Sequence, residues 1–150
     1  MRLKITLENL PDYDGAHRLI KAHLSPEIVA HSIRVMELRQ WDRLGLGDDW
    51  STDNIAALLH DVVEDSTVTL SEIESSFGSE VRRVVDLLTR RDDETYFGYI
   101  ARVSTDEIAT GIKLADLQDH FAQSDTLSDS LGQRYEKARE ILAPATGEHY

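Results

Sequence analysis

His60 and Asp61 stand side by side in the run Ala57-Leu58-Leu59-His60-Asp61-Val62-Val63-Glu64-Asp65. A neutral imidazole beside a carboxylate is half of a divalent-metal site. The pattern continues one helical turn on, with Glu64 four residues after His60 and Asp65 four after Asp61. In a continuous helix these four side chains share one flank. Carboxylates at that spacing repel one another, and more strongly if partly buried. The apolar stretch Ile55-Ala56-Ala57-Leu58-Leu59 predicts that the helix is buried. A bound cation would remove the repulsion. The alternative is a solvated acidic helix end, and the dipeptide alone does not decide between the two.

A metal needs more than two ligands, and other segments offer candidates. His31 lies beside the apolar face set by Ile28 and Val35, where a lone histidine could equally be a satisfied core or boundary residue. Asp116 ends the apolar segment Ile112-Lys113-Leu114-Ala115-Asp116, and an unpaired carboxylate there would be costly to bury. It asks for a partner, which could be Lys113, an arginine or a metal. His31, His60, Asp61 and Asp116 would supply two imidazoles and two carboxylates from three helices. That mixed set suits Mn²⁺, Fe²⁺ or Zn²⁺ and leaves positions open for water and substrate. His17, His23 and His149 have no comparable setting and are expected at the surface.

Composition narrows the classes. The chain has 150 residues, enough for one domain that buries about two-thirds of its unfolded surface. Its 29% charged and 41% hydrophobic residues fit a soluble globular protein. No apolar run approaches the roughly 18 residues of a membrane span, and the N-terminus lacks a signal-peptide pattern. The absence of cysteine excludes disulfides and thiolate-bound zinc and suits a cytoplasmic location. A net charge of −12 disfavours a nucleic-acid polymer or an anionic membrane as partner. An anionic small substrate would need a local basic patch.

The elements that must position these residues read as helices nearly throughout. Ser25-Pro26 is a helix start, with Ser25 as N-cap, followed by Ile28, Val29, Ile33, Met36, Trp41 and Leu44 until Gly45 and Gly47. Ser51 or Thr52 is expected to cap the helix that runs through His60-Asp61 to about Asp65. Thr69-Leu70-Ser71-Glu72 is a capping box before a short helix ending at Gly78. Val81, Val84, Val85 and Leu88 form an amphipathic stripe. A helix is expected over Tyr96 to Arg102, and another from the capping box Ser104-Thr105-Asp106-Glu107 to Ala122. The last places Leu131, Tyr135, Ala138 and Leu142 on one face and stops at Pro144. Residues 1–10 alternate weakly, as a short strand or an extended arm. The fold class is all-α, in one domain.

The order His31, His60-Asp61, Asp116 resembles that of the HD-domain metal-dependent phosphohydrolases. Ala57 to Ser66, then Thr69-Leu70-Ser71-Glu72-Ile73 and Phe77-Gly78, is similar to the hydrolase domain of RelA/SpoT proteins, as is Lys113-Leu114-Ala115-Asp116. The small single-domain alarmone hydrolases and their bacterial cousins match in length. Leu88-Thr89-Arg90-Arg91 with Glu94-Thr95-Tyr96 and Tyr99-Ile100-Ala101-Arg102 is similar to a segment of the bacterial cousins. The likeness covers about residues 25–123, and the HDxxED element with the distant KLAD element makes it specific.

The resemblance implies a single HD-domain helical bundle over residues 1–150 with a metal site between helices. Mn²⁺ would be held by His31, His60, Asp61 and Asp116, with Fe²⁺ or Zn²⁺ as alternatives. Such an ion lowers the pKa of water and polarises a phosphoryl oxygen. Glu64 and Asp65 would be catalytic, beside the attacking water, accepting its proton or orienting it. Asp65 could instead fix a ligand histidine. Plain helix-end decoration is an unattractive reading of both, because anions sit badly at a helix C-terminus.

Tyr96, Tyr99 and Arg102 recur every three residues and could stack on a base and pair with phosphate, or serve as ordinary packing. Lys113 is a candidate phosphate contact or an ion-pair partner. Arg18, with Lys21, precedes His31 by about the distance of nucleotide-contacting residues in the larger relatives. Their Gly-x-Pro-Tyr-type signature is replaced here by Lys21-Ala22-His23-Leu24-Ser25-Pro26. His120 stands where the family usually has asparagine, and its imidazole could bond a phosphate or ribose hydroxyl or act as a general acid. The expected function is hydrolysis of the 3′-pyrophosphate of ppGpp-like alarmones. The alternatives are another nucleotide or small phosphoester, or a non-catalytic HD module that binds ligands. The synthetase half of long RelA/SpoT proteins does not fit in this length, and homo-oligomerisation is left open.

Overall fold

A computed structural model describes residues 11–42, 50–123 and 129–143. The expectations for residues 1–10, for Leu44, Gly45 and Gly47, for His149 and for the stretch after Pro144 lie outside these residues. The described chain is helical: α1 (Pro11–His23), α2 (Pro26–Asp42), α3 (Trp50–Leu59), α4 (Val62–Asp65), α5 (Leu70–Phe77), α6 (Ser79–Leu88), α7 (Tyr96–Val103), α8 (Glu107–Gln123) and α9 (Asp129–Leu142). Among the described residues there is no strand, and no helix is long and apolar enough to cross a membrane.

Local chemistry explains most of the boundaries. The Ser25 hydroxyl accepts from the Ile28 N–H, and Thr69 Oγ1 accepts from Glu72 N–H at 3.2 Å, as N-caps do. Gly78 closes α5 at φ 97°, a backbone region that glycine alone enters without strain. Thr95 caps α7 by accepting from the Gly98 N–H. The expected capping box at Ser104 is corrected. Ser104 ends α7, with its N–H bonded to the Ile100 carbonyl, and Asp106 caps α8 by accepting from Ala109 N–H at 2.9 Å. Ser51 and Thr52 fall inside the first turn of α3 rather than at its cap.

The core runs between α2, α3, α6 and α8, with α3 and α8 each contacting the other three. Val35, Ile55, Leu58, Leu59, Val84, Val85, Ile112 and Leu117 are fully buried in it. The α6 stripe is buried as expected at Val81, Val84, Val85 and Leu88. In α9, Ala138 and Leu142 are buried, but Leu131 is 38% exposed and does not join that face. Helix α8 is buried on several sides, down to Thr110 and Gly111. There the Arg39 guanidinium passes so close that a Cβ on Gly111 would lie 2.4 Å from it. Arg39 reaches Asp53 with two hydrogen bonds, 3.0 and 2.7 Å, both side chains buried. A buried bidentate pair resists being broken, since removing one partner strands the other charge. It fixes α2 against α3, with α8 packed close against Arg39 at Gly111.

Candidate metal centre

The helix carrying the histidine–aspartate run does not continue to Asp65. It breaks at His60-Asp61, and α4 is a separate single turn. The cause is local. The His60 N–H bonds back three residues to the Ala57 carbonyl, and the His60 ring Nδ1–H donates to that same oxygen at 2.7 Å. Asp61 then starts α4, its carbonyl accepting from the Asp65 N–H. His60 and Asp61 are thereby aimed together at α8 from a turn. Glu64 is turned to another partner: its Oε1 accepts the Arg90 N–H at 2.5 Å. The break and the Glu64 bond replace the common flank expected of a continuous helix.

His31 projects from α2 toward α8. Its Nδ1 lies 2.6 Å from Asp119 Oδ2, and Asp119 Oδ1 accepts from Arg34 Nε at 2.8 Å. A carboxylate and a carbonyl only accept, so Nδ1 carries the proton in both His31 and His60. With the ring neutral each Nε2 presents a lone pair inward, and with the ring charged each donates a second proton there. His31 Nε2 is 2.7 Å from Asp116 Oδ1, and His60 Nε2 is 3.3 Å from that same oxygen and 3.2 Å from Asp61 Oδ2. Asp116 Oδ2 accepts from Lys113 Nζ at 2.7 Å. One donor atom from each of His31, His60, Asp61 and Asp116 lies within 4.8 Å of all the others. Only protons on the Nε2 atoms, or a cation among the four, satisfies such a meeting of acceptors.

The electrostatics have the same sense. Burial opposes charge on His31, yet Asp116 and Asp119 raise its pKa. Burial opposes charge on His60 more completely, and Asp61 and Asp116 still raise its pKa well above the ordinary value. Burial works against the Asp116 carboxylate too, but Lys113 and three histidines hold its pKa well below the usual range. Asp61 is lowered chiefly by His60 against its own burial. Glu64 is raised by burial, partly offset by the Arg90 N–H, and Asp65 is raised by burial and by Asp61. The four inner groups therefore form a charge-compensated cluster bordered by two carboxyls of raised basicity. Donors of this type and number fit a divalent cation.

The remaining sequence-predicted residues divide. Lys113 is partly buried and paired with Asp116, so the ion-pair reading applies to it. Tyr99 is buried and its hydroxyl donates to the Leu88 carbonyl at 2.8 Å, and burial pushes its pKa up to about 12. Arg102 grips both oxygens of Glu94, at 2.7 and 3.0 Å, and donates to the Thr89 carbonyl at 2.9 Å. Tyr96 differs from these neighbours. It is half-buried, its hydroxyl is buried with no hydrogen-bond partner, and its ring faces the Arg134 guanidinium at 3.9 Å. His120 Nε2 lies 3.3 Å from Asp116 Oδ1 at the exposed edge of the cluster. Arg18 is exposed and donates to the Asp14 carbonyl of its own helix. Of the other histidines, His23 is exposed and His17 stacks on Tyr13.

Several participants were missed in the sequence. Asp119, which orients His31, is three residues past Asp116 and so on the same side of α8, a spacing that could have flagged it. Arg34, three residues after His31, is its partner. Arg134 and Tyr135 come from α9, where only apolar periodicity stood out. The Tyr135 ring stacks on His120 at 5.6 Å, and Arg90 adds a second cation 5.7 Å from the Tyr96 ring. Tyr96, Arg90, Arg134 and Tyr135 form an aromatic and basic wall near the cluster in a protein of strongly negative charge.

No protein-family model matches the chain. It is 58% identical over 40 residues to guanosine-3′,5′-bis(diphosphate) 3′-pyrophosphohydrolase MESH1 of Homo sapiens and of Mus musculus, a stretch covering 27% of this chain and 21% of each relative. It is 36% identical over 106 residues to a probable GTP pyrophosphokinase of Mycobacterium leprae, covering 65% of this chain and 13% of that one. The matched stretches thus span about a fifth of the vertebrate relatives' length and less of the mycobacterial protein. The solved structure of a metazoan ortholog of SpoT that hydrolyses ppGpp superimposes with a TM-score of 0.69, over 91% of this chain and 86% of that chain, at 21% identity. The sequence likeness to the ppGpp pyrophosphohydrolases is thus confined to a 40-residue stretch, and the all-α fold is that of the SpoT ortholog.

Proposed function

We propose that the chain is a divalent-metal-dependent phosphohydrolase that removes the 3′-pyrophosphate from guanosine-3′,5′-bis(diphosphate) or a closely similar nucleotide, and that it works in the cytoplasm with Mn²⁺. The observation that carries this reading is the convergence of His31 Nε2, His60 Nε2, Asp61 Oδ2 and Asp116 Oδ1. Both imidazoles have their protons held on the far nitrogen, by Asp119 and by the Ala57 carbonyl. When bound, a divalent cation supplies charge stabilisation at a phosphoryl oxygen and a lower pKa for water. Glu64, with Oε1 fixed by the Arg90 N–H, keeps Oε2 for the proton of the attacking water. Asp65, one residue on and raised in pKa, is the second candidate for that proton. Tyr96 offers a ring for the base and an unpaired hydroxyl, and Arg134 and Arg90 offer charge to the phosphates. One water is consumed, the phosphoester bond at the 3′ oxygen breaks, and that oxygen leaves protonated. The products are pyrophosphate and guanosine 5′-diphosphate.

Chromatography of the purified protein with Mn²⁺ and guanosine-3′,5′-bis(diphosphate) tests this directly. The expected products are pyrophosphate and guanosine 5′-diphosphate in equal amounts, and chelator abolishes both. Release of orthophosphate instead would overturn the bond assignment. His120, at a position where the related hydrolases usually carry asparagine, favours a second reading in which another nucleotide is the substrate. Cleavage of a different member of a nucleotide panel, with this one untouched, would establish it. Metal-loaded protein that cleaves no nucleotide would leave a ligand-binding module.

A further inference from the structure

We propose that His120 is a fifth ligand of this centre, making its donor set three imidazoles and two carboxylates and strengthening its hold on Zn²⁺, Co²⁺ and Fe²⁺ more than on Mn²⁺. This rests on the reading of His31, His60, Asp61 and Asp116 as metal ligands. Asp116 and His120 are four residues apart on α8, the spacing that places two side chains on one face of a helix. His120 Nε2 is 3.3 Å from Asp116 Oδ1, the same distance as His60 Nε2 from that oxygen. Three imidazole nitrogens thus surround one carboxylate oxygen, whose partner oxygen is occupied by Lys113.

The ring is set for this role from both sides. It stacks on Tyr135 with an interplanar angle of 29°, and it tilts against the His31 ring with centroids 4.8 Å apart. Its side chain is 43% exposed, whereas those of His31 and His60 are 11% and 3%. His120 therefore stands at the solvent edge, free to close onto an ion that the four inner donors hold. Asparagine at this position would offer only an amide oxygen. Imidazole suits zinc, iron, nickel and copper, whereas oxygen donors suit manganese. A third imidazole strengthens binding of the first group more than of Mn²⁺.

The test compares the chelator-stripped full chain with His120→Asn, titrating Zn²⁺ and Mn²⁺ separately in competition with a chromogenic chelator. His120→Asn should weaken Zn²⁺ binding by at least about tenfold and Mn²⁺ by less than about threefold. The visible ligand-field bands of the Co²⁺-loaded protein should shift on loss of a nitrogen donor. Equal dissociation constants in the two proteins for both metals, with unchanged Co²⁺ bands, would overturn the proposal. A His60→Ala control separates the two levels. Abolished binding there with no effect at His120→Asn sinks only the fifth ligand. A wild-type chain that binds neither metal sinks the underlying centre with it.

Discussion

The segment from Asp86 to Arg102 and the cluster around Asp116 are both crowded with charge, and they resolve it in opposite ways. In the first, Arg91 pairs with Asp86 and donates to the Thr89 carbonyl, while Arg102 embraces Glu94 and donates to that same carbonyl. Glu94 is held down to about 2 chiefly by Arg102, and the Tyr99 hydroxyl closes the Leu88 carbonyl. Apart from the Tyr96 hydroxyl, donors meet acceptors here, and the segment clamps the end of α6 to α7. In the second, lone pairs of two histidines and oxygens of two aspartates meet one another. Beyond Lys113, this group is completed either by protons on the two Nε2 atoms or by a cation, so one set of side chains has two ways to close. Charged residues at regular spacing look alike in sequence; whether they close on themselves separates scaffold from site.

The hardest blow to this distinction falls on the turn. His60→Ala or Asp61→Ala should abolish stoichiometric metal binding and hydrolysis together. Full metal occupancy by elemental analysis in either variant would return the cluster to the scaffold class. Next in size is Glu64→Gln, which removes the proton acceptor but keeps an oxygen for the Arg90 N–H. The turnover number should fall by about 10²–10⁴-fold, with metal content unchanged. Turnover within about threefold of the parent would pass the role to Asp65.

Much of this architecture was legible because it rests on short-range rules. The α6 stripe, the Thr69 cap and the glycine stop at Gly78 need only local pattern, and the structure brings together the four residues singled out for a metal. The break at His60-Asp61 was not legible, since no glycine or proline marks it. It arises where the His60 ring and backbone both turn onto the Ala57 carbonyl. Asp106 displaced Ser104 as a cap because α7 had already taken Ser104 for its own end. The Arg39–Asp53 pair threading past Gly111 and the Arg134–Tyr96 contact join residues far apart in the chain, so spacing carries no trace of them. Local rules set the elements; contacts across elements decide which charges are spoken for.

A smaller effect sharpens the comparison through pH. His31 and His60 are raised above the ordinary 6.5, so the stability they contribute is present below that value and is lost as pH climbs through their raised values. Asp61 and Asp116 are lowered, so their contribution is present above about 3.8 and is lost as pH falls through the lowered values. The chelated protein should melt at a lower temperature at about pH 9 than at about pH 6. Free Mn²⁺ at about 100 times its dissociation constant should restore roughly 2.7 kcal/mol, with proton release visible by calorimetry in buffers of different ionisation enthalpy. A chelated midpoint that rises with pH, or one that Mn²⁺ leaves in place, would contradict a proton-or-metal cluster.

The smallest expected effects lie in two tyrosines three residues apart, one from each class. Tyr99 donates to the Leu88 carbonyl and belongs to the closed segment. Tyr99→Phe strands that buried carbonyl and should cost about 0.5–1.5 kcal/mol of stability, with KM unchanged. Tyr96 has a buried hydroxyl with no partner, beside Arg134. Tyr96→Phe loses no hydrogen bond within the protein, so its denaturation midpoint should hold or rise slightly. If the hydroxyl is kept for the nucleotide, KM should rise severalfold, by about the worth of one hydrogen bond. Urea titrations and steady-state kinetics on the two variants give four numbers, and the distinction requires them to cross: stability falls at Tyr99 alone and KM rises at Tyr96 alone. Loss of stability at Tyr96→Phe with KM intact would place its hydroxyl in the scaffold beside Tyr99 and leave the cluster without its aromatic wall.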